Sequence, residues 1–275
     1  MFQKKNIFKL FLFIYFIYFA YLPLFSQESE WKMQNDLKID ADFIEIDALG
    51  SIYAVKNNIL SKFSPENSTY KRTYYSNNSY GNISSLDVSN PFNLLVYYSD
   101  FQVIVNLDTH LSEISKPIQA VDLEDIEVEL ICKSTEGGFW IFDRFTQSIK
   151  HFDAYLNSNK SSLDFRTLFD ENCTPNFMRE WNNKLYVNTL EGSFLIFDTF
   201  GNLEKTLSLS IEKEFCVKQN LCYYADKKLK IYDFKSLEIS EIDLSWKKNI
   251  LSAKIEQKKL YIFTPEGVSI FEQKE

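Results

Sequence analysis

The sequence predicts an all-β protein, a closed ring of six four-stranded antiparallel sheets. Three observations predict it. An apolar run that closes on an aromatic or Leu, followed by Ser, Asp or Glu, recurs along the chain. A second strand-like run precedes every copy. The copies are spaced about 40 residues apart, the interval of a four-stranded repeat unit.

The clearest copy is Phe194 to Asp198, followed by a Gly201-Asn202 reversal and a strand from Leu203 to Leu207. The others are Ile59 to Ser64, Val103 to Asp108, Ser148 to Asp153, Lys230 to Asp233 and Val268 to Glu272. Their closing polar residues fall at 64, 108, 153, 198, 233 and 272. The preceding runs centre on Tyr53, Val96, Trp140, Tyr186, Tyr223 and Tyr261. The apolar residues alternate or run in short blocks rich in β-branched and aromatic residues, which excludes helical repeats of similar period. A small sheet exposes two apolar faces, and stacking sheets radially buries both while leaving only short edges. This is the six-bladed β-propeller.

Taken in order, blade 1 has an inner strand Phe43 to Asp47, a second Ser51 to Val55, an Asn57-Asn58 turn into the third, and a fourth near Tyr70 to Tyr75. Blade 2 runs Ile83 to Val88, Leu94 to Tyr98 and Gln102 to Leu107, with a short outer strand near Leu111 to Ser115. Blade 3 is Val128 to Lys133, Phe139 to Phe142 and Ser148 to Phe152. A polar loop, Asn157 to Ser162, then precedes an outer strand Leu163 to Leu168. Blade 4 spans Phe177 to Leu209, and blade 5 uses Glu214 to Val217, Leu221 to Ala225, Leu229 to Tyr232 and Ile239 to Leu244. Blade 6 has three strands: Leu251 to Ile255, Leu260 to Phe263 and Val268 to Phe271. The spare segment Trp31 to Ile39 is predicted to supply its fourth strand and close the ring.

Residues 1–26 have a different composition. Lys4, Lys5 and Lys9 precede an uncharged run from Leu10 to Leu24, with Pro23 and Ser26 near its end. This pattern is that of a secretory signal cleaved after Ser26, and the run is short for a full membrane span. The expected mature domain is 27–275, periplasmic or secreted. Cleavage removes three lysines and no acid, taking the formal net charge from −8 to −11. An acidic surface argues against nucleic acid or anionic membrane as the main partner.

Four cysteines remain, Cys132, Cys173, Cys216 and Cys222. An even number in an exported chain permits disulfides. Cys216 and Cys222 flank a hairpin turn and can face each other; the competing reading is four buried thiols acting as small hydrophobes.

Inner strands point some side chains into the central channel, where Asp42, Glu45, Asp87, Glu127, Glu129, Arg179, Glu180 and Glu256 are candidates. The inter-blade loops carry Asp122, Glu124, Asp125, Asp170 and Glu171. Grouped carboxylates suit calcium, although no EF-hand-like spacing supports it; the competing reading is solvated acidic loops. His110 falls in a turn and His151 in a strand, both expected to face solvent. Neither has the neighbours of a nucleophile–base set, and no GxSxG, P-loop or GxGxxG is present, so no catalytic residue is assigned.

Asp87-Val88-Ser89-Asn90-Pro91, Phe139 to Asp143 and Asn183 to Asn188 resemble uncharacterised exported six-bladed propeller proteins of Bacteroidota, and more loosely the NHL and TolB-like propellers. The resemblance spans 27–275 and implies a fold and a lineage. It brings no catalytic residues. The function expected is a non-enzymatic, monomeric interaction or scaffold module with an envelope protein as partner. The alternatives are a calcium-dependent hydrolase or lactonase using channel carboxylates, and a small-ligand sensor or carrier.

Overall fold

The structure, a computed structural model, describes residues 31–66, 69–123, 126–169, 173–212 and 214–273. Residues 1–26, expected to be a secretory signal, lie outside the described residues. Strand β1 (Trp31–Leu37) comes first and is taken up below. Blade 1 is β2 (Phe43–Ile46), β3 (Ile52–Lys56), β4 (Ile59–Glu66) and β5 (Thr69–Ser76). Blade 2 is β6 (Ile83–Asp87), β7 (Leu94–Tyr98), β8 (Val103–Leu107) and β9 (Ile118–Gln119). Blade 3 is β10 (Val128–Lys133), β11 (Phe139–Asp143), β12 (Ser148–Phe152) and β13 (Ser158–Ser161). Blade 4 is β14 (Pro175–Trp181), β15 (Lys184–Thr189), β16 (Ser193–Phe197) and β17 (Leu203–Ser208). Blade 5 is β18 (Phe215–Val217), β19 (Leu221–Ala225), β20 (Lys228–Tyr232) and β21 (Ile239–Asp243). Blade 6 is β22 (Ser252–Glu256), β23 (Lys259–Thr264) and β24 (Gly267–Gln273), and β1 pairs antiparallel with β24 as its outer strand. The ring is therefore a six-bladed β-propeller closed by its N-terminal strand, as the sequence predicts.

Six apolar clusters fill the six gaps between neighbouring blades. The second strands show why. In β11, Phe139 and Ile141 face the gap to blade 2, while Trp140 and Phe142 face the gap to blade 4. Both faces of such a strand are buried, so its sequence reads as a continuous apolar run. Tyr97 and Tyr98 obey the same rule: alternation would leave one of them outside the core, yet both are buried, in different gaps.

The recurring Asp is a turn device. Oδ1 of Asp108, Asp153 and Asp198 accepts the backbone N–H groups two and four residues on, and Asp233 does so two and three residues on. A carboxylate that caps a turn in this way substitutes for missing ladder bonds. Gly201 follows from the same turn. Its φ is 89°, and a Cβ there would lie 2.8 Å from the Ser161 carbonyl carbon of blade 3.

Two outer strands fall elsewhere than the sequence predicts. In blade 2 the 111–115 segment makes one bridge, Leu107 to Glu113, and pairing resumes at Ile118. Asp108 holds the turn, Leu111 adopts a φ of 64° and is buried, so the segment plugs the core instead of extending. In blade 3 the expected polar loop is itself the outer strand β13, and the expected strand contains a helical turn, Phe165–Leu168. The Asp164 carboxylate accepts from Arg166 N at 2.8 Å and starts that turn. It places Phe165 between Phe142 and Phe197, with ring centroids 5.1 and 5.7 Å away. An outer strand has little apolar surface to cover, so hydrophobicity does not reveal it. No helix among the described residues is long and apolar enough to cross a membrane.

Candidate functional site

The inner strands β2, β6, β10, β14, β18 and β22 line the channel, and five charged side chains meet within it. Arg179 on β14 reaches across the ring. Its guanidinium donates to Glu45 Oε1 on β2 at 3.0 Å and lies 2.7 Å from Asp87 Oδ2 on β6. Lys254 on β22 donates to Glu45 Oε2 at 2.8 Å and pairs with Glu214 at 3.1 Å. Blades 1, 2, 4 and 6, with the segment entering blade 5, are thus joined at one point.

Burial works against the charges of Glu45, Asp87, Arg179 and Lys254. It pushes the Asp87 carboxyl up, but Arg179 and the backbone N–H groups of Ser89 and Lys133 overcome it and hold Asp87 below the usual carboxylate range. For Glu45 burial prevails over Lys254 and Arg179, so its carboxyl stands above the usual range. Burial lowers Lys254 and Arg179, and the surrounding carboxylates more than reverse this.

Further contacts bind neighbouring blades near the same axis. Lys133 N donates to Asp87 Oδ2 at 2.9 Å, and its Nζ donates to Asn93 and Asn106, each at 3.0 Å. Glu180 accepts from Trp140 Nε1 at 2.5 Å and from Thr135. Lys218 Nζ donates to both oxygens of Glu256 at 2.5 Å.

The eight channel candidates therefore separate by position. Glu45, Asp87 and Arg179 form the central cluster. Glu180 and Glu256 tie blades together. Glu129 lines the cavity at one mouth. Asp42 and Glu127 are rim residues, paired with Lys56 at 2.8 Å and Arg144 at 3.3 Å. Lys254, Glu214 and Lys133 escaped the sequence reading. Lys254 had a signal: a single charged residue between Ala253 and Ile255 in an inner strand faces the channel.

The cluster divides the channel. On one side, where the inner strands begin, is a cavity of about 640 Å³ lined by Glu45, Glu129, Glu212, Glu214 and Arg179 among apolar and uncharged polar residues. An adjoining cavity of about 340 Å³ shares Glu212 and Glu214 and includes both Cys216 and Cys222. On the other side a cavity of about 110 Å³ reaches Arg179 and Glu45.

Of the loop carboxylates, Asp122 is exposed and closes a capping box with Gln119 around a 3-10 turn; Glu124, Asp125, Asp170 and Glu171 lie outside the described residues. Among the described residues no three His, Cys, Asp or Glu side chains gather so as to hold a metal ion. Cys216 and Cys222 are directly opposed across β18 and β19, and all four cysteines are free thiols. Burial pushes the Cys222 thiol up to about 12, with Cys216 adding to it. His110 lies in its exposed turn as expected. His151, expected at the surface, is buried with its ring centroid 4.8 Å from that of Trp140. It sits on a third strand covered by the next blade, which a lone His flanked by Lys150 conceals.

No protein-family model matches the sequence, and none of the curated proteins does. Among solved structures, a catalytically inactive virginiamycin B lyase from Staphylococcus aureus with quinupristin is similar, with a TM-score of 0.56 and 10% identity over 88% of this chain and 99% of that one. BBS1N in complex with ARL6DN gives a TM-score of 0.54 and 13% identity over 84% and 77% of the two chains. A protein of unknown function from Bacteroides caccae gives 0.52 and 10% over 75% and 79%. At these identities the likeness is one of fold. The class defined is a six-bladed β-propeller with an ion-paired channel, a scaffold that enzymes and partner-binding proteins share.

Proposed function

We propose that this chain is an exported interaction module of the cell envelope, periplasmic or secreted, that binds a protein partner and carries out no catalysis of its own. The ion cluster supports this reading most. Glu45 and Asp87, the channel carboxylates a hydrolase would use on a metal or a water, are occupied by Arg179 and Lys254. A calcium ion at that point would have to displace two fixed cations. What the ring leaves free for recognition is its rim and its larger mouth. The likeness to BBS1N, crystallised in complex with ARL6DN, is consistent with this use of the fold.

A thermal melt with calcium, and then with chelator, separates this reading from the metal-hydrolase one. The midpoint is expected to stay constant. A native-state calcium site would add about 2.7 kcal/mol at a hundredfold excess over its Kd. A rise with calcium that chelation reverses would overturn the reading.

We also propose that Cys216 and Cys222 form a disulfide once the chain is exported. Antiparallel partners have Cα atoms about 4.5–5.5 Å apart, inside the span of roughly 4.4–6.8 Å that disulfides use. The two thiols give up two protons and two electrons to a disulfide donor, which leaves as a dithiol. Both residues line the 340 Å³ cavity. Protein recovered from the exporting host and denatured without reductant should alkylate at Cys132 and Cys173 only. Alkylation at all four positions would reject the pairing.

A further inference from the structure

The rim is not uniform. In an up-and-down ring, the turns joining second to third strands and the crossovers entering the next blade lie at one end of every blade. At that end, blades 2 to 4 expose Phe101, Phe145 and Leu190 at the same turn in three consecutive blades. The crossovers between them expose Val121 and Leu163. All five side chains are 65–76% exposed. The equivalent turns of blades 5 and 1 are polar, Asp226-Lys227 and Asn57-Asn58. The most exposed apolar side chains of the face thus form an arc over blades 2 to 4; the crossover from blade 5 to blade 6 also exposes Trp246 and Leu251, at 45% and 49%, and scattered exposed hydrophobics on a protein surface are ordinary.

The arc differs from ordinary scatter in what it adjoins. Leu190 belongs both to it and to the wall of the 640 Å³ cavity. That cavity carries four carboxylates; Glu45 is paired with Arg179 and Lys254, and Glu214 with Lys254, which leaves Glu129 and Glu212 to give the mouth its negative charge. Glu129 and Glu212 stand exposed on its walls. The opposite face also exposes apolar residues, Tyr155 and Phe200 in the outermost turns and Leu49 and Phe92 in the inner ones, but they are scattered over four blades and both ends of the sheets' width. Lys160 lies 5.9 Å from the Phe200 ring centroid and is paired with Glu136, and no described cavity with a surplus of carboxylates adjoins these two rings.

We infer that this face docks a protein segment bearing apolar side chains beside lysines or arginines. The apolar residues lie on the arc and a cationic side chain enters the acidic mouth. The inference rests on the interaction-module reading and names the partner chemistry. Apolar anchors supply affinity, and charge complementarity supplies orientation and rate. A partner with an acidic patch is repelled by the same carboxylates.

The test uses the purified protein and three synthetic dodecapeptides, with binding read by calorimetry. One alternates Lys with Leu, one alternates Glu with Leu, and one alternates Lys with Ser. The Lys/Leu peptide is expected to bind at least tenfold more tightly than either of the others. The double substitution Phe101→Ser and Phe145→Ser should weaken it at least tenfold, and Glu129→Gln with Glu212→Gln should weaken it and flatten its salt dependence. Tyr155→Ser with Phe200→Ser should leave it unchanged. Because all of these side chains are exposed, the folded ring is retained, which a melt verifies.

Equal binding of the three peptides, equal loss in the opposite-face variant, or no binding by any peptide would overturn the inference. So would concentration-dependent dimerisation in sedimentation that Phe101→Ser and Phe145→Ser abolish, since the occupant would then be a second copy of the chain. An envelope partner that cross-links only to the Tyr155 face would overturn this docking surface while leaving the interaction-module reading intact.

Discussion

Arg179→Met is expected to destabilise the ring by about 3–5 kcal/mol, the range for breaking a buried ion pair from one side. The mechanism is specific. Glu45 and Asp87 side chains are 9% and 2% exposed. Without the guanidinium, Asp87 keeps only neutral donors, the Ser89 side chain and the backbone N–H groups of Ser89 and Lys133, and Glu45 keeps Lys254 alone. For a domain of this size the midpoint should fall by roughly 10 °C. Arg179→Lys should recover only part of this, because an ammonium cannot present a planar fork to two carboxylates in different blades. Adding Glu45→Gln and Asp87→Asn to Arg179→Met should restore much of the loss by removing the stranded charges. The acid limb carries a second signature. Asp87 titrates below its ordinary 3.8 in the native ring, so its ionisation stabilises the fold above that value, and the contribution is lost as pH falls through the lower native value. That slope should be shallower in Arg179→Met. A melt within about 1 kcal/mol of the parent would mean that the cluster is incidental to ring stability.

The same cluster shows what a sequence can and cannot disclose in a propeller. The repeat was legible because each copy carries a buried apolar run, and four of the six close on an Asp that caps the next turn. Both leave marks a few residues apart. The closing strand was legible from a missing partner, since blade 6 lacked a fourth strand and the chain had a spare one at its start. Outer strands left no such mark. Ser158–Ser161 pairs through its backbone and has little to bury, whereas Leu163 to Leu168 looks like a strand and instead holds a helical turn that inserts Phe165. The channel was half legible. Alternation shows that Glu45 and Arg179 point inward, but which inward residues meet depends on the register of blades 134 residues apart. No short-range pattern contains that distance. His151 failed for a related reason, because its burial is decided by the neighbouring blade.

Deleting residues 31–37 is expected to have the largest effect of any change considered, because it opens the ring. β1 pairs with β24 from Trp31 opposite Gln273 to Leu37 opposite Val268. Trp31 is buried in the gap between blades 5 and 6, while Leu37 packs against the cluster between blades 6 and 1. One strand therefore seals two gaps. Gly267 shows how close the approach is, since a Cβ there would sit 2.0 Å from the Leu37 carbonyl oxygen. Asp36 also accepts the Ser269 hydroxyl at 2.6 Å. Loss of the Trp31 side chain alone should cost about 3–5 kcal/mol. Loss of the strand adds an unpaired edge along Gly267–Gln273, most of it apolar, which is a template for pairing with another chain. The expected product melts over a broad range, with blade 6 exchanging its amide protons first, and it forms dimers and larger species in sedimentation. A synthetic peptide of residues 31–39 supplied in trans should raise the midpoint in proportion to its concentration and suppress association, by adding the missing strand. The same peptide with Trp31→Ala should do so weakly. A truncated chain that stayed monomeric and melted like the parent, indifferent to the peptide, would show that the ring holds without its closing strand.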